Sequence, residues 1–235
     1  MDNKERLIVS LDFEESAQAI SLVDLLGDDA IFYKVGLQMY LHYGSPFVNE
    51  IKKRGKKIFL DLKLNDIPNT VNSAIKVLAS MNVDMLNLHT FIGFTGLKQA
   101  KETVMQVMPA TKLIGVTVLT SLDDEALRGI GFKNSVKEEV LQLCKLGKSA
   151  GIDGVVSSAQ EASLIKKECG TDFLTVCPGI RRATDDIGDQ SRVVTPEMAI
   201  KGGADYLVIG RPIIKASSPK EEVKAILLEI EKGLS

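Results

Sequence analysis

Tryptophan is absent from this chain, aromatic residues make up only 5% of it, and it has two histidines, His42 and His89. A metal site built from several histidine ligands is therefore excluded. The cysteines are Cys144, Cys169 and Cys177, an odd number at spacings that fit neither a disulfide framework nor a zinc site, so they read as reduced thiols. Charge of one sign does not dominate either. Lysine and arginine number 29 against 31 acidic residues, for a net charge of −2, and no basic block marks a nucleic-acid or membrane surface. No apolar run approaches the roughly 18 residues of a membrane span. The first residues enter the strand-like segment Leu7-Ile8-Val9-Ser10-Leu11 without a charged-then-apolar leader. These absences lead to the expectation of a cytoplasmic protein with a small-molecule partner, and with neither nucleic acid nor membrane as a partner.

What is present is an alternation. Short runs rich in Val, Ile and Leu recur eight times, around residues 6–12, 31–36, 57–63, 83–89, 112–119, 153–157, 173–177 and 205–210. Between them lie segments with apolar residues three or four apart: Ser16 to Leu26, Met39 to Lys53, Val71 to Met81, Gly96 to Met108, Val136 to Ala150, Ala159 to Cys169, Pro196 to Gly202 and Pro219 to Lys232. Strand then helix, eight times, predicts an α/β fold of the (β/α)8 TIM-barrel type. A doubly wound open sheet is the alternative, but it uses fewer units. No linker or low-complexity tract divides the 235 residues, so one domain over 1–235 is expected. A chain of this length buries a substantial core without disulfides or metal.

The chemistry concentrates in Asp61-Leu62-Lys63-Leu64-Asn65-Asp66-Ile67-Pro68-Asn69-Thr70. Three charges end an apolar run, and ions are rarely buried without a partner or a purpose. In a strand, residues i and i+2 share a face, which places Asp61 beside Lys63. Active sites of this barrel type form where the C-terminal ends of the strands meet. Asp12, Lys34, Asp61 with Lys63, His89, Thr120, Ser157 with Ser158, and Gly210-Arg211 all fall at such ends. Lys34 interrupts an apolar strand and requires a counter-ion, for which Asp12 or Asp61 would serve. A purely structural ion-pair network is the alternative for these charges, and Asp12 alone could terminate a strand or cap a helix. His89 reads as a satisfied strand-end histidine. Late in the chain, Pro178-Gly179-Ile180-Arg181, Gln190 and Gly210-Arg211-Pro212 sit where such barrels cradle phosphate, after strands 7 and 8 at the start of a short extra helix. An ordinary turn with a solvated arginine is the competing reading.

At these residues the sequence resembles orotidine 5′-phosphate decarboxylase of the bacterial type, over almost the whole chain. Asp61, Lys63 and Asp66 match that family's Asp-x-Lys-x-x-Asp signature. Asp12, Lys34, Thr120, Pro178-Gly179-Ile180-Arg181, Gln190 and Gly210-Arg211 follow in the family's order. The resemblance implies decarboxylation of orotidine 5′-monophosphate to uridine 5′-monophosphate and CO2 in pyrimidine biosynthesis, with no cofactor and no metal. It implies Lys63 as proton donor to C6, Asp61 near the departing carboxylate, and Lys34 and Asp66 completing the catalytic array. Asp66 would come from the second subunit of a homodimer with shared active sites, bringing Ile67 and Thr70. Asp12 and Lys34 are expected at the ribose, Thr120 at the pyrimidine, and Arg181, Gln190, Gly210 and Arg211 at the phosphate. The stretch from Asp185 to Ser191 is the expected lid. A sugar-phosphate decarboxylase of the same superfamily would need an acidic metal ligand on strand 2, where this chain has Lys34. A Schiff-base aldolase would need an uncharged lysine, and a silent nucleotide-binding barrel would bind without turnover.

Overall fold

The computed structural model describes residues 2–182 and 194–235. Its strands are β1 (Leu7–Ser10), β2 (Phe32–Gly36), β3 (Lys57–Leu64), β4 (Met85–His89), β5 (Lys112–Val116), β6 (Gly154–Val156), β7 (Leu174–Pro178) and β8 (Tyr206–Ile209). Each pairs in parallel with its sequence neighbours, and β8 pairs with β1, so the sheet closes. The main helices that follow them in turn are α1 (Ser16–Leu26), α2 (Leu37–Lys53), α3 (Pro68–Leu78), α4 (Gly93–Val107), α5 (Val136–Ser149), α6 (Ala162–Cys169), α7 (Pro196–Lys201) and α8 (Pro219–Leu234). The expected (β/α)8 barrel is therefore the observed fold, and the open sheet is excluded.

The alternation of side chains along each strand separates two apolar clusters. Leu7, Val9, Tyr33, Val35, Leu60, Leu86, Leu88 and Leu207 point outward and pack under the helices. Ile8, Phe32, Phe59, Met85, Ile114, Val176, Tyr206 and Val208 fill the barrel interior. Continued toward the C-terminal rim, the interior row reads Ser10, Lys34, Asp61 and Asn87. The same parity that packs the barrel floor with hydrocarbon thus delivers polar groups to its mouth.

Several elements end differently from their apolar pattern. The fifth strand was expected to reach residue 119 and stops at Val116. There Thr90 Oγ1 donates to the Val116 carbonyl at 2.8 Å and takes over its acceptor. Helix α2 begins two residues before Met39 and is kinked at Gly44 (φ 58°, ψ −153°), just ahead of Pro46. A short helix at Asp124–Gly129 carries no apolar periodicity long enough to be read from sequence, whereas the short helix after the eighth strand, Arg211–Ile214, was anticipated. Helix α5 opens with a capping box between Ser135 and Glu138.

The N-terminal rim is held by a motif used three times. Asp84, Asp153 and Asp205 precede β4, β6 and β8. Their Oδ2 atoms accept the backbone N–H of Ile58, Leu113 and Thr175 on the preceding strand, at 2.9, 2.7 and 2.8 Å. Each also accepts from a lysine on an outer helix: Lys52 of α2 at 3.0 Å, Lys101 of α4 at 2.6 Å and Lys166 of α6 at 2.6 Å. One carboxylate thereby ties two strands to a helix, on the face of the barrel that serves stability.

Candidate active site

The charges collected at the C-terminal rim form a continuous chain of contacts. Ser10 Oγ donates to Asp12 Oδ2 at 2.6 Å, and Lys34 Nζ donates to Asp12 Oδ1 at 3.1 Å. Lys34 Nζ also lies 3.4 Å from Asp61 Oδ2, while Lys63 Nζ donates to Asp61 Oδ1 at 2.6 Å. Signs therefore alternate from Asp12 through Lys34 and Asp61 to Lys63. Burial grades along the array. The Lys34 and Asp61 side chains are each 11% exposed, whereas Asp12 and Lys63 are 57% and 40% exposed, so the outer members face the opening.

Asp61 anchors the array. Burial by itself pushes its carboxyl pKa up. The ammonium groups of Lys34 and Lys63, with hydrogen bonds from Lys63 and Asn87, overcome that effect and hold it below the ordinary aspartate value. The arrangement presents an ammonium group at the opening with a fixed anion behind it.

Backbone geometry sets the position of Lys63. Between β3 and β4 the register shifts: Leu60 pairs with Leu86 and Leu64 with Leu88, so residues 61–63 oppose Asn87 alone. Such a bulge redirects side chains at the end of a strand. Within it Lys63 adopts φ 53°, in the left-handed region. That conformation costs a residue with a Cβ on the order of 1–3 kcal/mol and collects at functional sites. Asn87 sits in the bulge, fully buried, with Oδ1 accepting from the Lys63 N–H at 2.8 Å and Nδ2 donating to Asp61 Oδ1 at 2.6 Å. Sequence reading missed Asn87 and Ser10. The available signal was their place in the interior row, two residues from Met85 and Ile8.

His89, at the end of β4, stacks on Phe91 with ring centroids 6.1 Å apart, and its buried Nδ1 has no hydrogen-bond partner among the described residues. The satisfied strand-end histidine expected from sequence is thus only half realised. Burial lowers its pKa first and the Lys63 charge lowers it further, against an opposing pull from Asp61.

The late cluster borders the same opening. A Cβ on Gly210 would lie 3.1 Å from Ser10 Cβ and 3.7 Å from Asp12 Oδ2, so the backbone after β8 approaches the start of the array closely. Gly210 caps the Arg211–Ile214 helix, and Arg181 is buried at the end of β7 with Nη1 donating to the Ile180 carbonyl at 3.0 Å. A cavity of about 660 Å³ lies along Arg181, Arg182, Arg211 and Pro212 toward α8. The array from Asp12 to Lys63 does not line it. Gln190 and the Asp185 to Ser191 stretch lie outside the described residues.

Asp66, Ile67, Thr70 and Thr120 are not gathered into the array of their own chain. Asp66, Ile67 and Thr70 are exposed at the start of α3, and Asp66 Oδ1 accepts from the Ile67 N–H at 2.6 Å. Thr120 is exposed in the loop four residues beyond β5. Among the described residues, no group of three or more His, Cys, Asp or Glu side chains is placed to hold a metal ion.

The chain is similar to known proteins over nearly its whole length. Over 231 residues the chain is 47% identical to orotidine 5′-phosphate decarboxylase of Carboxydothermus hydrogenoformans, covering 97% of this chain and 96% of that protein. It is 45% identical to the protein of the same name from Legionella pneumophila (strain Paris), covering 96% and 99%. The crystal structure of orotidine 5′-phosphate decarboxylase from Lactobacillus acidophilus superposes with a TM-score of 0.86 at 37% identity, covering 96% of this chain and 98% of that one. The family model described as orotidine 5′-phosphate decarboxylase / HUMPS family matches residues 5–226, and the chain belongs to that family.

Proposed function

We propose that the rim charges carry out the decarboxylation of orotidine 5′-monophosphate to uridine 5′-monophosphate and CO2, the carboxy-lyase step of pyrimidine biosynthesis. The observation that carries this reading is the Asp12–Lys34–Asp61–Lys63 chain, with its cationic end at the mouth. When the bond from C6 to the carboxylate breaks, CO2 leaves and the electron pair stays on C6, in an orbital the pyrimidine ring delocalises poorly. The enzyme must then stabilise that charge with groups already in place. The Lys63 ammonium does so and transfers its proton to C6; solvent later restores the lysine. Asp61 faces the departing carboxylate, and Asp12 with Lys34 holds the ribose hydroxyls. Thr120 contacts the pyrimidine, and Arg181, Gln190, Gly210 and Arg211 hold the phosphate. Binding energy at that remote anion fixes the base over Lys63.

The active form in this reading is a homodimer working in the cytoplasm, each subunit a single domain. Asp66, Ile67 and Thr70 are exposed, as residues meant for a second copy would be. Large apolar side chains are also exposed on helices α2, α3 and α4: Leu41 is 75% exposed, Ile67, just before α3, 67%, Val77 73% and Met105 61%. A second copy would bury this surface and bring Asp66 to the far side of Lys63. No helix among the described residues is long and apolar enough to cross a membrane.

The direct test is to mix the purified protein with orotidine 5′-monophosphate and follow the absorbance change of its conversion. Catalytic loss of the substrate signal with stoichiometric release of CO2 is expected. Tight binding of uridine 5′-monophosphate with no turnover would contradict the reading and leave a silent nucleotide-binding barrel.

A further inference from the structure

We infer that Asn87 is the positioning residue of this site, a two-point clamp that fixes both the backbone of Lys63 and the carboxylate of Asp61. The inference rests on the proposed decarboxylation for its kinetic consequences, but not for its geometry. Asn87 is fully buried at the rim of the barrel and is the single β4 residue facing the three bulged residues of β3. An apolar side chain of similar volume would fill the same space. What it could not supply is the pair of polar contacts: an acceptor for the Lys63 N–H at 2.8 Å and a donor to Asp61 Oδ1 at 2.6 Å.

Chemistry fixes the orientation of the amide. Turned over, its NH2 would face the Lys63 N–H and its oxygen would face a carboxylate, opposing like groups at both ends. Only one orientation serves both neighbours. The consequence for Lys63 is specific. Its N–H, displaced from regular sheet pairing by the bulge, is held by the amide oxygen while the residue sits at φ 53°. Its Nζ meets the same Asp61 oxygen that Asn87 Nδ2 holds. Asn87 therefore controls both ends of the lysine, through the main chain at one and through the counter-ion at the other. It touches no reacting atom in this scheme and acts through Lys63 and Asp61.

The test compares Asn87→Asp, Asn87→Ser and Asn87→Ala with the wild type. At pH 8 Asn87→Asp keeps the acceptor for the Lys63 N–H but sets a second carboxylate against Asp61, and kcat should fall at least about 100-fold, the scale of an ångström-level misplacement. Binding of uridine 5′-monophosphate, held through ribose and phosphate, should change less than about threefold. As pH is lowered the two carboxylates share one proton, and the protonated Asp side chain reproduces the asparagine pattern of one donor and one acceptor. Activity of Asn87→Asp relative to wild type should then recover at least about tenfold between pH 8 and pH 5.5. A role limited to filling space would not produce this limb. If Asn87→Asp parallels the wild type across pH, or Asn87→Ala keeps kcat within about threefold, the clamp is wrong even though the enzyme is a decarboxylase.

Crystal structures of the variants separate the two questions, because they need no substrate. Asn87→Ala, or Asn87→Ser if the first does not fold, should show Lys63 leaving the left-handed region and its Nζ moving away from Asp61. Retention of both features overturns the inference. An inactive wild type whose variants nevertheless lose that geometry would overturn the proposed reaction and support the clamp.

Discussion

Lys63 combines a strained backbone with a counter-ion, and His89 beside it reports on the same field. Because burial and the Lys63 charge depress the folded-state pKa of His89, protonation favours the unfolded chain. The stabilisation from a neutral His89 is complete above the unfolded value near 6.5 and is lost as pH falls from there through the lower folded value. Chemical denaturation at pH 8 and pH 5 should show His89→Gln losing less stability on acidification than the wild type. Equal losses would remove His89 as the titrating group. At this scale the sequence was legible wherever charge betrayed purpose: Asp12, Lys34, Asp61 and Lys63 stood out because ions at the end of an apolar strand need an explanation. Asn87 did not stand out, since an uncharged amide between two leucines looks like any strand residue until the bulge assigns it two partners. The positive φ of Lys63 was equally hidden, because nothing about a lysine favours that region.

The elements owe their placement to pattern, and their ends to particular hydrogen bonds. Eight apolar runs separated by helical period were sufficient to predict the barrel, because each parallel strand is buried on both faces and reads as hydrocarbon. Where β5 stops was not legible, since Thr90, from a different element, takes the last carbonyl. The repeated Asp–Lys clasp was missed for a similar reason: its three members are far apart in sequence and meet only when the barrel closes. It makes a prediction for stability alone. Asp153→Ala leaves the Leu113 N–H without its 2.7 Å acceptor and should cost about 1–3 kcal/mol in denaturant unfolding, with kcat unchanged. Lys101→Met, which preserves that acceptor, should cost less. A variant at Asp153 with wild-type stability, or one with reduced kcat, would contradict a purely structural role for the clasp.

At the scale of the whole molecule, the proposed homodimer shares its sites between two copies. Lys63→Ala and Asp66→Asn should each be inactive alone. After mixing and subunit exchange, half the dimers are hybrids and each hybrid has one intact site, so about a quarter of wild-type activity should return. No return, with exchange verified, would place the whole site within one chain. Arg211→Ala should raise KM, and in part lower kcat, because anion binding remote from C6 holds the base in register. Unchanged values of both would separate the loop after β8 from the site.

In the proposed mechanism the ammonium of Lys63 stabilises and protonates the carbon that loses CO2. Single-turnover decarboxylation of orotidine 5′-monophosphate by Lys63→Ala, measured alongside its binding of uridine 5′-monophosphate, decides whether it does. The rate of the variant should be at least about 10³-fold below wild type with nucleotide binding largely retained. A near-normal rate in that variant would contradict it.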